Sequence, residues 1–523
     1  MSRNPLTSLL KRAFATAAAQ QCGMGESSPT PAAHGRRKFL KDSAMAAGSM
    51  LFVPAIAKMP AIAPNSAASV VIVGAGMAGL NAAYQLNKHG IRASVHEASG
   101  RTGGRMFTLR GMFGSDLTTD LGGEFVDTTH LDIIQLAREL NVDFYDLRKD
   151  HLVAKTLYFD GKLLSEDELA KAIRPFADRI ATDLRSLPKH ITHEHASQFE
   201  HLDNQSITQY ISSIGIGGWL YHFLDVVLTR EYGMEASQQS AINFLIMFNQ
   251  PAANEKTYEL FGNDHEVYKI KGGSQQLADQ LYLRVKDQVQ FQSRLTAINP
   301  SMTKGYDLIF DQGGLKKKVQ ADYVILAIPF TILRTVSFGI EIPAGKQKCI
   351  NELGYGNSGK FIMGFSDKPW RKAGRQGYTF NDLAFGCGWD STQAQSEKQA
   401  SFTVFTGGNI VDTICDERSE AVAGRFVPAL DRIYKGAQKA YTGNTINYCW
   451  GKNPYSKAGY SSFRTGQWST LAGWEAVPVG DIYFAGEHVS LEFQGYMNGA
   501  AKTGRHAAQL VASKCSVQNS HRV

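Results

Sequence analysis

The run Val70-Val71-Ile72-Val73-Gly74-Ala75-Gly76-Met77-Ala78-Gly79-Leu80 constrains this chain more than any other stretch. Four apolar residues meet a G-x-G-x-x-G turn, and apolar positions at helical spacing follow through Ala82, Ala83 and Leu86. Gly74 permits a sharp turn, Gly76 lets bare backbone approach a pyrophosphate, and Gly79 lets the helix press on the strand. The helix N-terminus then offers N–H groups and the positive end of its dipole to phosphates. A second strand, Arg92 to His96, leads to Glu97, 23 residues after Gly74, about where an acidic residue takes a ribose hydroxyl. A glycine fingerprint alone is weak. With strand, helix and acid in place it predicts an α/β fold with a Rossmann-type nucleotide domain.

Two further glycine turns narrow the nucleotide. Arg101-Thr102-Gly103-Gly104-Arg105 comes directly after Glu97, Ala98 and a short turn, and Asp120-Leu121-Gly122-Gly123-Glu124-Phe125 lies beyond it. A nicotinamide domain has no need of these, whereas a flavin's ribityl chain runs further across the sheet edge. Here the chain resembles the flavin-containing amine oxidase family: monoamine, polyamine and L-amino acid oxidases. The resemblance implies an FAD-binding domain with an interleaved α+β substrate-binding domain, as in p-hydroxybenzoate hydroxylase-like folds. The FAD segments are placed at 66–145, 265–330 and 445–515, and the substrate domain at 146–264 and 331–444. Cofactor contacts are implied at Gly74, Gly76, Ala78, Gly79, Glu97, Ala98, Gly104, Arg105, Gly122, Gly123, Glu124 and Val289, and at Trp450, Gly486, Glu487 and Met497 near the C-terminus.

The C-terminal stretch carries the second signal. Phe484-Ala485-Gly486-Glu487, then Gly495-Tyr496-Met497-Asn498-Gly499-Ala500, is similar to the family's flavin-closing segment. A helix starting near Met497 aims its N–H groups where negative charge grows as the ring is reduced. Tyr496 matches one wall of the family's aromatic cage. Tyr460, within Trp450-Gly451-Lys452-Asn453-Pro454-Tyr455-Ser456-Lys457-Ala458-Gly459-Tyr460, matches the other. Two ring faces admit a neutral amine, orient it and exclude water. Mitochondrial-type monoamine oxidases link flavin covalently through a cysteine where this chain has Gly459, so non-covalent FAD is implied. Lys360, in Asn357-Ser358-Gly359-Lys360-Phe361, resembles the family's flavin lysine, which holds a water against the ring and assists reoxidation by dioxygen.

The substrate is less marked. An α-amino acid oxidase needs a cation, usually arginine, to grip a carboxylate. The stretch where L-amino acid oxidases place it reads Glu124-Phe125-Val126-Asp127, which favours an amine. Asp127 falls near the position where the polyamine oxidases that the chain resembles place a polar amine-sensing residue, which makes it, with Phe125, a candidate substrate contact; Asp127 also fits a cap for the helix at 130–140, as does Thr128 or Thr129. Arg230 or Arg464 is an alternative carboxylate anchor. The implied reaction is oxidation of an amine to an imine, then aldehyde and ammonia, with dioxygen leaving as hydrogen peroxide. The alternatives are an L-amino acid oxidase, a desaturase or dehydrogenase that passes electrons to a quinone, and a flavin-binding subunit without catalysis.

Elsewhere the pattern predicts mostly helices with many aromatics at 150–260. It predicts strands at Tyr306–Phe310, Tyr323–Ile328, 360–366, 401–407 and Ile482–Ala485, and a helix from about Asn498 to Ala512. Residues 1–57 carry seven Lys or Arg against two Asp or Glu, which leaves only +2 of the net +7 for the remainder and no case for nucleic acid. Gly35-Arg36-Arg37-Lys38-Phe39-Leu40-Lys41, then apolar Ser43 to Ala57, resembles a bacterial twin-arginine signal with Ala55-Ile56-Ala57 or Ala61-Ile62-Ala63 as cleavage site. A periplasmic or secreted enzyme exported by the twin-arginine machinery is expected. Six cysteines include no C-x-x-C, so no metal site is expected and no disulfide is assigned. The oligomeric state stays open, a homodimer included.

Overall fold

The computed structural model describes residues 13–14, 68–248, 266–395 and 398–520. Strand β1 (Val70–Val73) runs into helix α1 (Met77–Lys88), and β2 (Ala93–His96) returns parallel beside β1. Strand β3 (Phe125–Val126) and helix α2 (Leu131–Glu139) come next. A helical stretch containing α3 (Gly218–Tyr232) precedes β4 (Tyr268–Ile270), α4 (Gln275–Val285) and β5 (Val289–Gln290). Then come β6 (Tyr323–Leu326), β7 (Ser358–Phe365), β8 (Cys387–Asp390), β9 (Ala400–Gly407), β10 (Tyr441–Cys449), β11 (Ile482–Phe484) and α5 (Met497–Ser520).

The first sheet is all parallel, in the order β5-β2-β1-β6-β11. Every residue of β1, β6 and β11 is buried, as expected for β-branched and aromatic strands covered by helices on both faces. The sheet thus gathers residues more than 400 positions apart onto one carboxyl edge. A seven-stranded sheet holds β10-β7-β9-β8 followed by Thr379–Asn381, Thr156–Phe159 and Lys162–Leu164. In a three-stranded sheet β4 lies between β3 and Phe144–Asp146.

Several expectations need correcting. Neither Thr128 nor Thr129 caps α2. His130 occupies the N-cap without a side-chain cap bond, because its Nδ1 accepts the Asp127 N–H at 3.0 Å. The 150–260 region includes the strands Thr156–Phe159 and Lys162–Leu164, which extend the seven-stranded sheet. Cys415 and Cys449 form a disulfide, while Cys349, Cys387 and Cys515 are buried thiols. The twin-arginine stretch and both cleavage motifs lie outside the described residues. Near the start of the chain, Ala13 and Phe14 are buried, and the Phe14 ring stands 4.8 Å from that of Phe248. Among the described residues no helix is long and apolar enough to cross a membrane, and no cluster of three or more His, Cys, Asp or Glu is placed to hold a metal ion.

Candidate active site

A cavity of about 950 Å³ opens at the carboxyl edge of the parallel sheet. That volume is at the upper end for ligand pockets, room enough for a dinucleotide and a small substrate together. One end is backbone. Gly76 and Gly104 face each other so closely that a Cβ on Gly104 would stand 3.3 Å from the Gly76 Cα. A Cβ on Gly79 would lie 1.9 Å from the Gly74 carbonyl oxygen, so α1 seats on the turn only with glycine there. Two bare glycine backbones beside a helix N-terminus are a fit for a pyrophosphate. Glu97 stands at the end of β2, its Oε2 accepting the Ala75 N–H at 2.8 Å and its Oε1 the Ser99 N–H at 2.8 Å. Ala78, Ala98, Gly122, Gly123, Gly486 and Met497 also line the cavity. Gly79 and Val289 do not: Gly79 is packed against the turn, and Val289 pairs with Val95 in the edge strand.

The other end is ring-rich. Tyr460, Tyr496, Phe125, Trp389, Phe405 and Trp450 line it. Glu487 assembles this wall. Its Oε1 accepts from Arg105 Nη1 at 2.7 Å and from the Ser461 N–H at 3.1 Å, and its Oε2 accepts from Ser461 Oγ and the Gly495 N–H, each at 2.7 Å. One buried carboxylate thereby fixes the residues next to both tyrosines. The Tyr460 hydroxyl donates to the Glu231 carbonyl at 2.6 Å, and Trp450 Nε1 donates to the Leu121 carbonyl at 2.9 Å. The Tyr496 ring meets His130 edge-on at 5.0 Å.

Lys360 lies in β7, opposite Phe405 of β9 and Tyr448 of β10. Its ammonium donates to the Asp120 and Gly122 carbonyls, each at 2.9 Å, and to Glu124 Oε2 at 2.7 Å. All three N–H groups are thus committed, and Lys360 has none left to hold a water. The sequence pattern did not reveal Lys269. Pairing of Phe125 with Lys269 brings it beside Glu124, where Nζ donates to Oε1 at 2.6 Å. A lysine inside the short apolar strand before the Lys271-Gly272-Gly273 turn was the available signal. Burial alone would push the Glu124 carboxyl up, but Lys269 and Lys360 overcome it and hold the group below its ordinary range. Burial and then Glu124 push Asp120 the other way, up.

Asp127 does not line the cavity; its Oδ1 accepts the Glu266 N–H at 2.6 Å, and Glu266, which sequence reasoning also missed, faces the space instead. Neither Arg230 nor Arg464 lines it. The Arg230 guanidinium is buried with Nη1 on the Gly407 carbonyl at 2.7 Å, and Arg464 is exposed. The lining arginines have protein partners: Arg101 the Gly104 carbonyl, Arg105 the Gly459 carbonyl and Glu487, Arg294 Asp311.

A family model described as flavin containing amine oxidoreductase matches residues 77–512. Flavin-containing amine oxidase A of Sus scrofa is 25% identical over 461 residues, covering 84% of each chain. An L-amino acid dehydrogenase of Synechocystis is 22% identical over 476 residues, covering 86% of this chain and 96% of that one. Among solved structures, cyclohexylamine oxidase from Brevibacterium oxydans superposes with a TM-score of 0.75 at 18% identity, over 86% of this chain and 99% of that one. Putrescine oxidase bound to putrescine does so at 0.74 and 20%, over 85% and 99%. These structures share the fold, and the chain belongs to the flavin-containing amine oxidoreductases.

Proposed function

We infer that this protein is an exported, FAD-dependent amine oxidase that converts a primary or secondary amine to an imine, which water hydrolyses to aldehyde and ammonia. The observation that carries this is that one cavity is lined both by the Gly76–Gly104 cradle and by Tyr460 and Tyr496. Gly74, Gly76, Gly104 and Glu97 would hold the nucleotide, and Gly123, Trp450 and Met497 the ring. The flavin, when bound, supplies the two-electron acceptor and hands the electrons to dioxygen, giving hydrogen peroxide. Tyr460 and Tyr496 hold the neutral amine and exclude water, which keeps its lone pair available. Lys360 acts as a fixed charge, its position set by Asp120, Gly122 and Glu124. Gly459 in the place of a linking cysteine supports non-covalent FAD. The lining arginines, Arg101, Arg105 and Arg294, are each already held by protein acceptors, which supports an amine over an α-amino acid. The Cys415–Cys449 disulfide supports an oxidising compartment. The test is a panel of amines and L-amino acids on purified protein with peroxide detection. Peroxide with amines is the expected result. Peroxide with amino acids alone, or reduction only of quinones, overturns the reading.

A further inference from the structure

His96 is a polar group on the cavity wall for which the proposed reaction has no use. It closes β2 beside the glycine turn: its carbonyl accepts the Gly74 N–H at 2.8 Å, and Glu97 follows it directly. The side chain lines the cavity, and the residue is 1% exposed. Its ring stacks on Phe310, with centroids 4.0 Å apart and planes 15° from parallel, so one face is covered. Nδ1 meets Ser293 Oγ at 2.9 Å, whereas Nε2 is buried with no hydrogen-bond partner. A buried ring nitrogen left in that state calls for a reason. Its neighbours fix its chemistry. Ser293 Oγ accepts from Gln312 Nε2 at 3.1 Å, and among the described residues the acceptor for the Ser293 hydroxyl proton is His96 Nδ1. Nδ1 therefore accepts, which puts the imidazole proton on Nε2. Burial first, and then the charge on Lys317, push the imidazole down to about 4, so it is neutral at neutral pH. Nε2 is thus an uncharged donor that lacks an acceptor. Its surroundings point to a nucleoside. The Ser293 N–H donates to the Glu97 carbonyl at 2.8 Å, and Ser293, Arg294 and Leu295 line the cavity with His96 and Glu97. In a dinucleotide fold the far nucleoside lies on the side of the acid that takes the ribose.

We propose that His96 reads the base of the bound dinucleotide: Nε2–H donates to a ring nitrogen of adenine, with Ser293 and Gln312 holding the imidazole in the donor tautomer. This rests on the FAD reading above. Adenine offers in-plane lone pairs at N1, N3 and N7, and the edge of a stacked imidazole presents its N–H in the plane of its own ring. FMN has no adenine and leaves the donor unsatisfied, so the residue sets which flavin the chain retains.

The experiment uses the full chain freed of flavin and follows binding by flavin fluorescence. FAD is compared with FMN and with three FAD analogues in which carbon replaces N1, N3 or N7 of adenine. The wild type is expected to bind one of the three analogues about tenfold more weakly than FAD, the value of one buried hydrogen bond. His96→Phe keeps a flat ring against Phe310 but has no donor. It is expected to bind FAD about tenfold more weakly, to make no distinction between FAD and that analogue, and to bind FMN within about twofold of wild type. His96→Gln, whose amide can donate, is expected to recover part of the FAD affinity. Equal binding of FAD and all three analogues by the wild type overturns the assignment, even if His96→Phe does not fold. A His96→Phe protein that loses affinity for FAD, FMN and every analogue by the same factor overturns it as well, since that is a structural role. If the chain takes up FMN and no FAD, the FAD reading itself fails and the assignment falls with it, whereas indifference to the analogues in a chain that binds FAD removes the assignment alone.

Discussion

Glu124→Gln is the sharpest probe of how this site is held together. The carboxylate lies between two ammonium groups at 2.6 and 2.7 Å, and the side chains of Glu124, Lys269 and Lys360 are 2%, 5% and 5% exposed. The substitution keeps the shape and one acceptor oxygen but removes the charge. Each charge-assisted bond is worth about 1.5–3 kcal/mol, and breaking a buried pair typically costs about 3–5 kcal/mol. The retained amide oxygen, and the backbone acceptors that both lysines keep, put the expected loss at the lower bound, about 3 kcal/mol at neutral pH. The pH dependence has a definite sign. Because Glu124 is held below its ordinary value of 4.5 in the folded protein, its contribution is complete above that value and is lost as pH falls towards the folded one. Protonated glutamate resembles glutamine, so the gap between wild type and variant should close in acid. Urea unfolding of both proteins from pH 7 downwards measures it. A gap below about 1 kcal/mol at neutral pH, or one that persists unchanged into acid, refutes the claim that this carboxylate holds the two lysines in place.

Three further outcomes are expected. Acid precipitation of the wild type should release all of its FAD, and flavin that stays with the protein would overturn non-covalent binding; in Gly459→Cys a Cβ would meet Ser358 Oγ at 2.7 Å, so that variant should lose about 1–3 kcal/mol of stability. Replacing Cys415 by serine opens a cross-link with a sequence separation of 34, and calorimetry of the oxidised proteins should show a loss of about 3–4 kcal/mol, while equal melting would show the bond unformed in solution. Lys360→Met should slow flavin reoxidation by dioxygen at least about tenfold in stopped flow with little change in FAD content, and an unchanged rate would remove Lys360 from that step.

The nucleotide end of the site was legible because its chemistry is local. Gly74, Gly76 and Gly79 answer to steric demands within one turn, and Glu97 comes at a distance set by one β-α-β unit, so spacing alone places them. Lys360, Tyr460 and Tyr496 are far apart in sequence and stood out only through resemblance. The features that stayed hidden depend on pairing across the fold. Lys269 reaches Glu124 because β3 and β4 are in register, with Phe125 opposite Lys269, and nothing within either strand announces that. The same pairing brings Glu266 against Asp127, so the acid that resemblance pointed to lies behind the one that lines the cavity. The disulfide was equally invisible, since Cys415 and Cys449 meet where a helix packs on β10.

The charges around the cavity bear on which form of an amine can react. At the Lys360 end two ammonium groups face Glu124 and an Asp120 whose carboxyl is pushed up by burial and by Glu124 itself, so positive charge dominates there whenever Asp120 holds its proton. Around Glu266 the balance is acidic, with Asp127, Glu231 and Glu124 itself acting against Lys155. An amine enters from water mostly protonated, and hydride loss from its α-carbon requires the neutral form. A positive field beside Lys360 disfavours the ammonium form there.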